Sequence, residues 1–149
     1  LSWGVEMSQD ETPYDVGLAR LVEVGTGDDF IGRDFALKYS KREPIKALAG
    51  FKIMPPELES NETPWKVFHL DKVIGKLTSL AFSPRLKFNI GFGLIQTQYA
   101  NLGSKLLVEG YDKLHEAEIV KIPFMEKKQM ANARELAFKF NYSNKERNK

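Results

Sequence analysis

The sequence lacks cysteine entirely and contains only two histidines. Without cysteine, disulfides, thiolate metal sites and cysteine nucleophiles are excluded. The same absence fits a reducing compartment, so a cytoplasmic location is predicted, with an organellar matrix also compatible. His69 and His115 stand apart in the chain, each without a second residue at metal-ligand spacing, so we expect two ordinary strand residues and no metal site.

The chain also lacks an excess of either charge and any long apolar run. Lys and Arg total 22 against 20 Asp and Glu, a net charge of +2. Because nucleic-acid binding usually needs clustered basic residues, no nucleic-acid partner is predicted. No apolar run approaches the roughly 20 residues that span a bilayer, and the start at Leu1 has no basic leader region. We therefore expect no membrane segment and no signal peptide, and a chain that is one piece of a longer protein.

What the sequence does contain is a succession of short β-like runs after Pro44. Most of these runs alternate apolar with polar or small residues, and turn residues separate them. The predicted strands cover residues 46–54, 65–70, 73–82, 89–95, 105–109 and 114–122, with a hairpin turn at 110–113. Six strands at this spacing indicate a mainly β domain, either a small closed barrel or a sandwich, and closure would protect the strand edges.

Further elements are predicted on either side of these strands. Residues 18–24 alternate and indicate a strand. Residues 33–39 indicate a short helix with its two aromatic residues on one face. After Pro123, apolar residues recur at helical intervals, so residues 126–149 are expected to form a tail that is helical at first and polar at its end.

Few residues in the sequence could carry chemistry. Gly91 and Gly93 lie within a strand pattern, where close packing explains them better than phosphate binding does, and Gly75 suggests a bulge or bend. Five carboxylates could act as acids, bases or cation ligands: Glu57, Glu59, Glu62, Asp28 and Asp29. A solvated loop is the simpler explanation for the three glutamates, and turn geometry for the two aspartates. The residues alone therefore predict no catalytic group.

One segment, residues 75–91, has a distinctive order of residues. It reads GKLTSLAFSPRLKFNIG, in which one strand ends in a Ser-Pro turn and a second strand follows. This segment resembles the barrel domain at the C-terminus of the glycine-cleavage T-protein (aminomethyltransferase) family. Four further motifs occur in the family's order: Thr12-Pro13 with Gly17-Leu18, then residues 29–33, then Tyr99-Ala100 with Gly103-Ser104, and residues 120–124.

The resemblance implies both a fold and a role. Members of the family build three domains around tetrahydrofolate and transfer a one-carbon unit from a small methyl donor. The likeness assigns residues 1–27 to the remainder of the folate-binding domain, 28–44 to a linking helix, 45–125 to a six-stranded Greek-key barrel that walls the folate site, and 126–149 to a tail. The family's catalytic aspartate lies in an N-terminal domain that has no counterpart in this sequence, so no catalytic residue is expected here.

Two positions depart from the family pattern. Arg20 stands where T-proteins carry a tryptophan beside the folate, and Leu48 stands where they carry an arginine in the first barrel strand. Arg20 is the one candidate for cofactor binding, through charge-assisted hydrogen bonds to a carboxylate. These departures favour the folate-dependent demethylase relatives. The competing hypothesis is a non-catalytic binding or scaffolding barrel whose C-terminal helix, from Met125 onward, docks on a partner.

Overall fold

The computed structural model describes residues 1–25 and 27–125. In chain order the elements are a short 3₁₀ helix Ala19–Leu21, α1 Arg33–Ser40, β1 Lys46–Ile53, β2 Trp65–His69, β3 Lys72–Ser83, β4 Phe88–Gln96, a second 3₁₀ helix Thr97–Tyr99, β5 Lys105–Glu109 and β6 Leu114–Val120. All six strands predicted after Pro44 are confirmed, with ends that differ by at most two residues. Within the described residues, none of the helices is long and apolar enough to cross a bilayer.

The six strands close into one antiparallel barrel. Around the barrel the order is β1-β4-β3-β2-β5-β6, so β2, β3 and β4 form a meander and β1 returns to lie beside β4. This is the Greek-key order, and the predicted six-stranded Greek-key barrel is confirmed. Closure gives every strand of the barrel a neighbour on both sides, which protects the edges from pairing with other chains.

The barrel interior forms the hydrophobic core. Because side chains alternate across a strand, every second residue points inward, and β6 shows this alternation of buried and more exposed positions. The buried cluster is drawn from all six strands and includes Phe51, Ile53, Val67, Leu77, Ile95, Leu106, Val108 and Ile119. Burial of these side chains is the main source of the barrel's stability.

Glycines in β3 and β4 allow the strands to pack closely. A Cβ atom on Gly93 would lie 2.5 Å from the carbonyl oxygen of Lys76 and 2.8 Å from the ring of Phe51. A Cβ atom on Gly75 would lie 2.2 Å from the carbonyl oxygen of Leu94. Close packing therefore accounts for Gly93, as predicted. The pairing of β2 with β3 shifts register beside Gly75, which confirms the bulge expected there.

The strand predicted at residues 18–24 is wrong. Part of this stretch forms the 3₁₀ helix Ala19–Leu21, with backbone hydrogen bonds of 2.9 and 3.0 Å onto the carbonyls of Leu18 and Ala19. A strand needs a partner edge, and the closed barrel offers none along this stretch. The local alternation of residue types is real, but no neighbouring strand is available to pair with it.

The helix, the hairpin turn and the tail predicted from the sequence can be compared with the structure. The helix predicted at 33–39 is confirmed as α1, and its two aromatic rings stack with centroids 4.2 Å apart. The hairpin turn predicted at 110–113 closes with a backbone hydrogen bond of 2.8 Å between its first and last residues. The tail predicted at 126–149, including the helix expected to dock on a partner, lies outside the described residues.

Candidate functional site

Residues 1–18, called the N-terminal segment below, lie against the barrel and are attached to it near both ends. Near the end of the segment, the carbonyl of Asp15 accepts a 2.9 Å hydrogen bond from the amide of Leu48 in β1. Near its start, the carboxylate of Glu6 accepts hydrogen bonds from β3, more than 70 positions further along the chain. These contacts tie the segment that precedes Arg20 to the barrel wall.

A one-residue bulge in β3 shapes the contact with Glu6. The pairing of β3 with β4 skips Thr78, which lies between the paired residues Leu77 and Ser79. In a regular strand, adjacent side chains point to opposite faces of the sheet, whereas a bulge re-aims them. As a result, Thr78 and Ser79 both present their hydroxyl groups to the same carboxylate.

Glu6, Thr78, Ser79 and Ser2 together form a unit that we call the clasp. Oε1 of Glu6 accepts hydrogen bonds from the hydroxyl of Thr78 at 3.2 Å and from the hydroxyl of Ser79. Oε2 accepts a 2.7 Å hydrogen bond from the backbone amide of Ser2. Glu6 is only 4% exposed, so these bonds replace most of its contact with water.

The hydrogen bonds of the clasp set the charge of Glu6. Burial raises the pKa of this carboxyl group, but the hydrogen bonds from Ser79, Ser2 and Thr78 outweigh burial and hold the pKa below its ordinary value of 4.5. Glu6 is therefore an ionised carboxylate at neutral pH, and its three donors are charge-assisted.

A second carboxylate of the segment, Glu11, reaches β1. It accepts a 3.0 Å hydrogen bond from the amide of Ser8 and one from the Ser8 hydroxyl, and it forms a 3.2 Å ion pair with Lys46. The Ser8 hydroxyl is the main cause that holds the pKa of Glu11 below its ordinary value of 4.5, and Lys46 adds to it. Two ionised carboxylates thus hold the N-terminal segment in place.

A cavity of about 210 Å³ lies where the N-terminal segment, the end of α1 and the start of β1 meet. Its lining includes Asp10, Tyr14, Tyr39, Arg42 and Lys46. The guanidinium of Arg42 lies 5.9 Å from the centre of the Tyr39 ring, and the Tyr14 hydroxyl donates a 3.0 Å hydrogen bond to the backbone of α1. This volume is below the roughly 300–1,000 Å³ of typical ligand pockets, so the cavity can hold only a small group.

The N-terminal part of the chain exposes an unusual amount of apolar surface. Between residues 1 and 45, the buried hydrophobic side chains of the described residues are limited to Val16. In contrast, seven large apolar side chains in residues 1–35 are exposed: Leu1, Trp3, Val5, Leu21, Phe30, Ile31 and Phe35. This part of the chain therefore has little hydrophobic core of its own.

The predicted site residues lie in different parts of the fold. Arg20 is exposed within the first 3₁₀ helix, and within the described ranges no ion pair or hydrogen bond of its side chain is found. Leu48 lies in β1, half-buried. His69 and His115 lie in β2 and β6, as expected for strand residues, although His115 also approaches a turn carboxylate, Asp112, at 3.4 Å.

The carboxylates considered as possible ligands or acids do not come together. Glu57, Glu59 and Glu62 lie in the loop between β1 and β2, and Asp28 and Asp29 lie in the turn before α1. In the part of the chain that the structure describes, no group of three potential metal ligands is found. The carboxylates of the N-terminal segment accept hydrogen bonds from serine and threonine hydroxyls, but their lowered pKa values make them weak bases, so the arrangement is suited to holding the segment in place.

The sequence pattern did not indicate Glu6 as a site residue. The first eleven residues are too short and mixed to predict an element, and the partners of Glu6 are distant in the chain. The one available signal is the Thr-Ser pair within residues 75–91, because two adjacent hydroxyls in a barrel strand require an acceptor when buried. Only the fold shows which acceptor that is.

Acid should weaken the attachment of the N-terminal segment. Glu6 and Glu11 both have folded-state pKa values below 4.5, so their ionised forms favour the attached state. That contribution is complete above pH about 4.5 and is lost as pH falls through the lower folded-state values. Urea unfolding followed by circular dichroism should show the free energy of unfolding falling as the pH is lowered below about 4.5. The fall should be less steep in Glu6→Gln than in the unsubstituted chain, and as steep as in the unsubstituted chain in Glu116→Gln, an exposed control. An identical acid dependence in Glu6→Gln would contradict this assignment.

Comparisons with known proteins agree with this architecture. A family model described as the glycine cleavage T-protein C-terminal barrel domain matches residues 46–126. An aminomethyltransferase of Listeria welshimeri is 36% identical over 122 residues, and one of Parasynechococcus marenigrum is 33% identical over 122 residues. Each alignment covers 82% of this chain and 33% of the relative, so the chain spans about a third of the length of the curated relatives it matches.

A solved structure has the same fold. The crystal structure of glycine cleavage system aminomethyltransferase T from Bartonella henselae superimposes with a TM-score of 0.72 at 20% sequence identity. The match covers 85% of this chain and 36% of that protein. At this identity the likeness supports the fold, and it extends beyond the barrel into the residues that precede it.

Proposed function

The chain belongs to the glycine cleavage T-protein family through its C-terminal barrel domain, and from this premise we propose that it is the C-terminal part of a tetrahydrofolate-dependent methyl- or aminomethyl-transfer protein. In that protein, residues 45–125 form the barrel domain, 28–44 the linking helix and 1–27 the end of the folate-binding domain. The barrel walls the folate site and excludes water from the reacting carbon. Its role is to support and position, since the carboxylate of the clasp is engaged by three donors and its lowered pKa makes it a weak base.

One observation carries this proposal: the first 45 residues bury a single apolar side chain in the described structure while exposing eight large ones. A stretch with so little core of its own is stabilised by what it packs against. One side of it is attached to the barrel through Glu6, Glu11 and Asp15. The other side supports contact with a further domain, as expected for the end of a folate-binding domain.

The chemistry of Arg20 fits tetrahydrofolate. The glutamyl tail of folate carries carboxylates, and a guanidinium binds a carboxylate with two parallel hydrogen bonds. The exposed side chain of Arg20 has no ionic partner among the residues that the structure describes. When bound, tetrahydrofolate supplies the nitrogen that accepts the one-carbon unit, and Arg20 holds its tail.

The two departures from the family pattern, at positions 20 and 48, bear on the methyl donor. Arg20 replaces a tryptophan that aminomethyltransferases of the family carry beside the folate, and Leu48 replaces an arginine of their first barrel strand. These replacements favour a demethylase-like donor, a small molecule with a transferable methyl group. We place no catalytic residue in this chain. The donor would contact mainly the domains that precede the barrel.

A chimera tests the proposed function. This chain replaces the aligned C-terminal third of the Listeria welshimeri aminomethyltransferase, and tetrahydrofolate is titrated into the chimera by calorimetry. We expect the chimera to bind tetrahydrofolate and the isolated 149-residue chain to bind it weakly or not at all, because most of the pocket lies outside the chain. The unmodified Listeria welshimeri protein is the positive control. A chimera that is folded by circular dichroism but does not bind tetrahydrofolate would contradict the proposal and favour a scaffolding barrel.

Arg20 gives a residue-level test of the same site. In the chimera, Arg20→Ala should weaken tetrahydrofolate binding by about 1.5–3 kcal/mol, the range for a hydrogen bond to a charged group. Arg20→Lys should recover part of that loss, since it keeps the charge but not the two parallel bonds. Lys113→Ala, an exposed cation in the β5–β6 turn, is the matched control. If Arg20→Ala and the control bound tetrahydrofolate with equal affinity, Arg20 would not be part of the binding site.

A further inference from the structure

The clasp holds a buried charge at the junction between the barrel and the N-terminal segment. Both oxygens of the Glu6 carboxylate are engaged, one by two hydroxyls of β3 and the other by the amide of Ser2. A carboxylate accepts hydrogen bonds and donates none, so a single side chain satisfies all three donors. Because the hydroxyl donors are adjacent residues at a bulge, the carboxylate has one position in which it meets both.

This geometry fixes the register of the segment on the barrel. The bulge at Thr78 is stabilised by the contact with Glu6, and the Thr78 hydroxyl also lies 3.1 Å from the carbonyl of Phe92 in β4. At its other end the segment is held by the Leu48–Asp15 backbone bond. The segment ends at Leu18, and Arg20 follows it almost directly, with its side chain exposed.

We propose that Glu6 is a positioning residue for folate binding, which sets the location of the Arg20-bearing stretch relative to the barrel through the clasp. This inference rests on the proposed function. Glu6 does not touch the ligand; it acts through the backbone that joins the clasp to Arg20. The planar group with two polar atoms sets the position of the segment, and the charge of the carboxylate strengthens the hydrogen bonds of the clasp.

The distinction between shape and charge gives a sharp test. The side-chain amide introduced by Glu6→Gln can accept from the Ser2 amide with its oxygen and donate to the hydroxyls with its nitrogen, since hydroxyls both donate and accept. The methyl group introduced by Glu6→Ala can do neither. In the chimera with the Listeria welshimeri protein, Glu6→Ala should weaken tetrahydrofolate binding about tenfold or more, whereas Glu6→Gln should stay within about threefold of the unsubstituted chimera.

Two further variants and a control complete the design. Ser79→Ala combined with Thr78→Val removes the other half of the clasp and should match Glu6→Ala, with no further loss when the three are combined. Glu116→Ala, whose carboxylate pairs with Lys105 on the exposed surface, should leave affinity unchanged. Affinities are measured at a temperature where circular dichroism shows every variant folded, so that a change in stability alone does not alter them.

Hydrogen exchange on the 149-residue chain supplies an independent readout. Glu6→Ala should lose protection at the amides of residues 4–7, which bond within the first turn, while the amides of β4 stay protected. Equal weakening of tetrahydrofolate binding by Glu6→Gln and Glu6→Ala would overturn the positioning role in favour of a charge effect. Unchanged affinity and unchanged exchange in Glu6→Ala would overturn the clasp altogether.

The two proposals fail in different ways. If the unsubstituted chimera binds no tetrahydrofolate, the proposed function is wrong and the role of Glu6 in folate binding falls with it. Loss of protection in Glu6→Ala would then still establish the clasp as the attachment of the segment. If the chimera binds and Glu6→Ala binds equally well, the proposed function stands and the positioning role is wrong.

Discussion

Replacing Phe51 with alanine should lower the free energy of unfolding of the barrel by about 3–5 kcal/mol. Phe51 is fully buried in β1, and its ring fills the space that Gly93 leaves open in β4. Alanine removes most of the buried apolar surface and leaves a cavity, because β4 has no side chain at Gly93 to fill it. Since domains of this size have a total stability of about 5–15 kcal/mol, the variant should lie close to the unfolding threshold. Urea unfolding followed by circular dichroism measures the loss.

A matched phenylalanine outside the core provides the control. Phe35 in α1 is 54% exposed and contacts the ring of Tyr39. Phe35→Ala should cost at most about 1 kcal/mol, the value of an exposed aromatic pair. If Phe35→Ala and Phe51→Ala cost the same, the barrel interior would not be the main source of stability.

The strands of the barrel were predictable because each has one face in the core. In a strand with one buried face, buried positions alternate with more exposed ones, and this pattern is clear in β5 and β6. The position of Gly75 and the turn at 110–113 were also readable, since backbone geometry restricts the residue types found there. The order of the strands around the barrel was not contained in these patterns. It came from the resemblance of residues 75–91 to a known family.

The errors and omissions concern contacts between distant parts of the chain. Residues 18–24 have the alternation of a strand, but a strand requires a free edge, which depends on the whole fold. In the same way, a regular strand would put Thr78 and Ser79 on opposite faces. The bulge that brings both hydroxyls to Glu6 leaves no mark in the residue pattern. The role of Arg20 stays a prediction until folate binding is measured.

Asn89 is a second residue whose importance only the fold shows, since an asparagine in a strand pattern would be expected to face solvent. It is fully buried in β4, where Oδ1 accepts a 2.9 Å hydrogen bond from the amide of Leu58. Nδ2 donates to the carbonyls of Ile53 at 3.2 Å and Pro56 at 3.0 Å. The side chain therefore attaches the loop between β1 and β2 to the barrel, much as Glu6 attaches the N-terminal segment.

Replacing Asn89 with leucine should cost about 3 kcal/mol or more, although leucine is apolar and of similar size. Each buried polar group left without a partner costs about 1–3 kcal/mol. Leucine cannot form hydrogen bonds, so the amide of Leu58 and the carbonyls of Ile53 and Pro56 would lose this partner. Urea unfolding should show the loss, and hydrogen exchange should show early exposure of the Leu58 amide. Asn101→Leu, which removes one exposed hydrogen bond to Gln98, should cost less than about 1 kcal/mol. If Asn89→Leu were as stable as the unsubstituted chain, apolar burial would outweigh the hydrogen bonds at this site, and the loop would be held by the packing of Leu58 on the core instead.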